Sequence, residues 1–185
     1  MADAEGLRLP HGGYRRLRSW QSAEIVYDAT VVFCDRFIER GSRTRDQMIQ
    51  AARSGVQNIA EGSMAAATSK KTEMTLTSVA RGSLEELLGD YRGYLRQREL
   101  GEWDSNSAEA LAVRARYKSI ARGQKDPYGV RDADAGTAAN TLICLVQQTS
   151  YLLGRQLEAL DRQFLDEGGF GERMFRLRRE RNSRE

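Results

Sequence analysis

Proline occurs only at positions 10 and 127 of the 185 residues, and both lie between apolar-periodic stretches. Because proline removes an intrahelical hydrogen bond and clashes with the preceding turn, its scarcity leaves long runs free to coil. The apolar spacing says that they do. From 18 to 40, Trp20, Ala23, Tyr27, Thr30, Cys34 and Phe37 recur at intervals of three and four, with Val26, Phe33 and Ile38 beside them and Gly41 placed to end the helix. A second helix is predicted from Thr44, where TRDQ has the form of a capping box closed by Gln47. It buries Met48, Ala52, Val56 and Ile59 and ends at Gly62 as a left-handed cap. Ala51, Ser54 and Gly55 keep it slim, which allows a neighbour to approach closely.

The third helix, 69 to 99, carries Leu76, Ala80, Leu84, Leu87, Tyr91 and Leu95 on one face. A shorter helix follows over 106 to 122, then an exposed connection, ARGQKDPYGVRDADAG. The fourth long helix spans 134 to 167, with Leu142, Leu145, Leu153, Leu157, Leu160 and Phe164 facing inwards and Gly168 and Gly169 stopping it. Each stripe must bury itself against others. The expected fold is therefore all-α: an up-down-up-down four-helix bundle with a short additional helix between helices three and four and a basic C-terminal extension. The additional helix either caps one end or lengthens the crossover. The expected organisation is a flexible head over 1–17, a bundle domain over 18–168 and an arginine-rich suffix over 169–185.

Composition removes whole classes of chemistry. The single histidine, His11, sits in a glycine-flanked head, so a serine or cysteine nucleophile has no evident base. Cys34 and Cys144 are in no paired spacing and read as small buried hydrophobes, which suits a reducing compartment. Neither G-x-G-x-x-G nor G-x-x-x-x-G-K-[ST] occurs. Glu61, Glu85 and Glu86 could cluster, but solvation or pairing with arginine is the expected role. No enzyme activity, cofactor, metal or small-molecule substrate is expected. With no stretch near the roughly 20 apolar residues that span a bilayer and no targeting signal, the expectation is a cytoplasmic protein without a membrane partner.

The charge is distributed unevenly. The formal balance is only +3, yet 25 of the 29 basic residues are arginine, whose planar fork suits phosphate. Arg15, Arg16 and Arg18 open the chain, Arg43 and Arg45 follow the first helix, and Arg173, Arg176, Arg178, Arg179 and Arg181 close it. These groups read as a solvated or oligomer-contacting surface, as RNA or DNA contacts, or, through the interleaved Met174, Phe175 and Leu177, as an amphipathic turn against a bundle, a partner or a membrane surface.

Two motifs carry a resemblance. NIAEG at 58 to 62 and ARGSLEEL at 80 to 87, in this order and spacing, resemble the bacterial four-helix bundle proteins of the 23S ribosomal RNA intervening-sequence family, and more narrowly its larger suffix-domain group. The resemblance covers about residues 14 to 165. It implies a four-helix protomer that forms homo-oligomers, commonly ring-like pentamers, without catalytic activity. A related branch assists a reverse transcriptase and binds nucleic acid through a basic surface. Asn58, Glu61, Gly62, Gly82, Ser83 and Glu86 stand at the family positions, where they would fix helix ends and helix pairing. The expected function is a non-enzymatic, self-associating structural or adaptor module. The alternative is a nucleic-acid-binding accessory protein using its arginine-rich surfaces.

Overall fold

The computed structural model describes residues 11–120 and 124–183; residues 1–10 of the expected head, and the side chains of Arg173 and Arg181, lie outside the described residues. Among the described residues there are six α-helices: α1 (Arg18–Phe37), α2 (Arg43–Ala65), α3 (Lys70–Gln97), α4 (Ala108–Arg116), α5 (Ala135–Glu167) and α6 (Phe170–Asn182). Short 3-10 turns occupy Tyr14–Arg16 and Tyr117–Ser119.

The four long helices enclose one core. α1 packs on α2 and α5, and α3 packs on the same two helices from the opposite corner. Phe33, Met48, Leu84, Leu87, Leu142 and Leu153 are fully buried there, each contributing about 1.5–3 kcal/mol relative to exposure. Phe33 lies edge-on to both Tyr91 and Tyr94, with ring centroids 5.1 and 4.9 Å away. Buried hydroxyls stitch the helices together: Ser22 and Thr149 are 2.7 Å apart between α1 and α5, and Ser19 donates to Gln156 Oε1 at 2.6 Å. These pairs run in opposite directions along the two helices, so α1 and α5 are antiparallel.

The simple four-helix bundle expected from the periodicity is corrected by this helix count. The segment read as a suffix is itself a helix. Gly168 ends α5 with a left-handed φ of 72°, and the Gly169 N–H then donates to Glu172 Oε2 at 2.9 Å, which opens α6. The pentameric ring expected of a compact four-helix protomer loses its basis with that protomer. The additional helix α4 lies against α5, with Ala110 buried, so the segment is a lengthened crossover and not an end cap. Arg36 fixes its return by donating to the carbonyls of Val130 and Ala133 at 2.8 and 2.6 Å.

Two expected helix ends also move. α2 starts at Arg43, one residue before Thr44, because Ser42 is the last extended residue after the Gly41 turn (φ 86°), and its side chain makes no capping hydrogen bond. α2 also runs through Gly62 to Ala65. Gly62 is there for thinness: an added Cβ would lie 3.2 Å from the Glu73 carbonyl and 3.3 Å from Leu76 Cβ. Gly55 is packed similarly against Leu84, as its slim surroundings predict. Of the segment expected as a flexible head, the described part is tied down, since Gly12 N–H donates to the Ser63 carbonyl at 3.1 Å and Tyr14 meets Trp20 edge-on.

Candidate interaction surfaces

The motif residues divide between α2 and α3. The Asn58 side chain donates to the Ser54 carbonyl at 2.9 Å and to Ser54 Oγ at 3.0 Å, and Ser54 Oγ is 3.0 Å from Ser83 Oγ. Asn58, Ser54 and Ser83 thus form a polar clasp where Gly55 and Gly62 let the helices close. Ser54, the hub of the clasp, reads in the sequence only as a small residue that keeps α2 slim; its polar role is signalled by its place one turn before Asn58. Glu61 and Glu86 are exposed, and Gly82 faces open space. Glu86 lines an open groove with Asp46, Gln50, Ser54, Ser83 and Asp90, about 590 Å³ in volume. Burial, and then the Glu86 charge, raises the Asp90 carboxyl above its ordinary value.

Glu85 points the other way, into the α3/α5 groove, so the three acids do not gather. Among the described residues no group of three or more histidine, cysteine or acidic side chains could hold a metal ion. Cys34 and Cys144 are free and buried. Burial pushes the Cys34 thiol up to about 12 and raises Cys144 as well, which makes both poor nucleophiles at neutral pH.

The arginines separate by end. Arg15, Arg16 and Arg18 are exposed where α1 begins. α5 finishes at the same end, because Gln156 accepts from Ser19 and Gln163 accepts from Lys70 at the start of α3. α6, with Arg176, Arg178 and Arg179 exposed, therefore departs from the end that carries Arg15, Arg16 and Arg18. Arg43 and Arg45 lie at the opposite end, and Arg45 is engaged with Asp35 at 2.5 Å. Among the described residues, these arginines form no single surface. Sequence reading also missed Lys70, whose ammonium bonds Glu73 Oε2 and Gln163 Oε1, each at 3.0 Å.

The insertion divides the outer side of α5. Near its start, Trp103 N–H donates to Asn140 Oδ1 at 2.7 Å, and Asn140 donates to the Gly101 carbonyl at 2.9 Å, seating the chain that leads into α4. Ile143 and Cys144 are covered there, beside a 130 Å³ pocket. Two turns further on, Tyr151 is 67% exposed beside buried Ser150 and half-buried Gly154. At the far end Leu165 is 81% exposed, and Phe175 of α6 is 67% exposed. No helix among the described residues is long and apolar enough to cross a membrane.

Compared with protein-family models, curated proteins and solved structures, the chain matches none. The family resemblance therefore rests on its quoted residues alone.

Proposed function

We propose that this protein is a non-enzymatic helical module that works by self-association, as a structural or adaptor part in the cytoplasm. The observation that carries the reading is the bare stretch of α5, where the Tyr151 ring is 67% exposed. A second surface laid there takes the ring out of water. Leu165 and Phe175 add exposed apolar area at the α5–α6 corner. Two free, buried thiols suit a reducing compartment. Analytical ultracentrifugation of the full chain tests the reading: an oligomer of fixed mass across salt concentrations is expected, and a monomer at micromolar concentration overturns it.

A second reading, a nucleic-acid-binding accessory protein, is favoured by the shared end of Arg15, Arg16, Arg18 and the α6 arginines. Contact with several phosphates makes affinity fall steeply between about 50 and 200 mM salt. Reversing Arg176, Arg178 and Arg179 to Glu then abolishes binding with the fold retained. Undetectable binding to mixed RNA and DNA at low salt removes this reading.

A further inference from the structure

We infer that the groove between α3 and α5 is the face through which two copies of this chain meet, the same surface on each, with the Tyr151 ring of one copy seated against Gly154 of the other. The inference rests on the self-association reading and adds where the contact lies and what makes it. The groove encloses about 350 Å³ and is lined by Arg81, Glu85, Ser150, Tyr151, Arg155 and Glu158, among others.

Two features select a second copy as the occupant. A face that meets itself must complement itself, and this one carries two arginines and two glutamates. Arg155 and Glu158 already pair within the chain at 2.9 Å, with both side chains more than half exposed, so each is within reach of the opposite charge on a facing copy. Nucleic acid and anionic membrane are both disfavoured by Glu85 and Glu158. Next, the floor is low: Gly154 has no side chain, and an added Cβ would meet nothing closer than Arg81 Nη1 at 3.9 Å. A tyrosine ring can therefore descend to the helix backbone.

The test uses the full chain in sedimentation velocity over a dilution series. The wild type is expected as a dimer, and Tyr151→Arg, with unchanged helical circular dichroism, is expected to weaken the dimer by roughly thirtyfold or more, as loss of a central aromatic anchor does. Arg155→Glu and Glu158→Arg supply an independent arm. Each alone repels its own copy and dissociates, and the two mixed in equal amounts re-form a dimer, because one now carries two acids where the other carries two arginines. If the wild type associates while Tyr151→Arg keeps the same mass and the charge variants neither dissociate nor recover, the face is wrong and the self-association reading stands. A wild type that is monomeric overturns both.

Discussion

The hydroxyl of Tyr91 on α3 donates to Thr30 Oγ1 on α1 at 2.9 Å, between two helices that occupy opposite corners of the core. Thr30 passes its own proton back to the Val26 carbonyl at 2.6 Å, so neither polar group is stranded. Tyr91→Phe therefore leaves Thr30 with a partner and removes one buried hydrogen bond. The expected loss is about 1 kcal/mol, read as a lower urea midpoint with an unchanged slope; an unchanged midpoint would show that the bond contributes nothing.

The same residue sets an alkaline limit. Burial raises the Tyr91 phenol well above its ordinary value, against a smaller lowering by the Thr30 bond, and burial pushes Cys34 from 9.0 to about 12. Both groups ionise first in the unfolded chain, so stability is full below their unfolded values and is lost as pH rises through the window from 9.0 towards about 12. Tyr91→Phe and Cys34→Ala are each expected to flatten the fall in melting temperature over that window. Melts at neutral and alkaline pH that run parallel to the wild type would contradict this.

At the start of α5, Asp134 Oδ1 accepts from the Thr137 N–H at 2.9 Å, and that bond, first among the causes, holds its carboxyl below the ordinary value. A depressed pKa means the contribution is present above the unfolded value and is lost as pH falls through the folded one. Asp134→Ala is expected to cost about 1 kcal/mol at neutral pH, and the difference from wild type should shrink in acid. A constant difference at all pH values would show that the carboxylate is not the cap.

Two glycines of the quoted motifs should respond oppositely. Gly82 is exposed in mid-helix, and a Cβ added to it would meet nothing within 4 Å, so Gly82→Ala should stabilise by up to about 1 kcal/mol through helix propensity. Gly62→Val must displace the Glu73 backbone or Leu76 and should destabilise by about 1–3 kcal/mol. Chemical denaturation of both variants decides; equal signs would refute the close-packing role of Gly62.

Lys70 and Glu73 pair at 3.0 Å with side chains only 9% and 10% exposed. Removing one partner, as in Lys70→Met, leaves a buried charge and should cost about 3 kcal/mol or more. The double variant Lys70→Met, Glu73→Leu should recover part of that loss. A double variant as unstable as the sum of the singles would mean the two charges do not act together.

The helix stripes were legible because their cause is local. Ala80, Leu84, Leu87, Tyr91 and Leu95 are buried as their spacing predicts, since a period of three to four admits one inward face. Gly168 was legible for the same reason, while Gly62 was misread: a glycine that stops a helix and one that admits a neighbour look alike until the neighbour is placed. α6 was missed because its break rests on a left-handed glycine followed by the Gly169 N–H donating to the Glu172 carboxylate, which in sequence reads only as a stop. The clasp of Ser54, Asn58 and Ser83 and the separation of the arginines between two ends both depend on which residues meet across helices, and no spacing along one helix contains that.

The insertion carries a consequence of its own. By covering Ile143 and Cys144 and leaving Tyr151 bare, the α3-to-α5 connection works as an awning over one side of the longest helix, and Tyr117 ties it to the Arg18 carbonyl at the start of α1. Tyr128 and Val130 anchor its return in the core, so what can vary is the stretch before them: a longer awning would shade Tyr151 and silence that side, whereas a shorter one would bare Cys144 and widen what the helix can offer to another molecule.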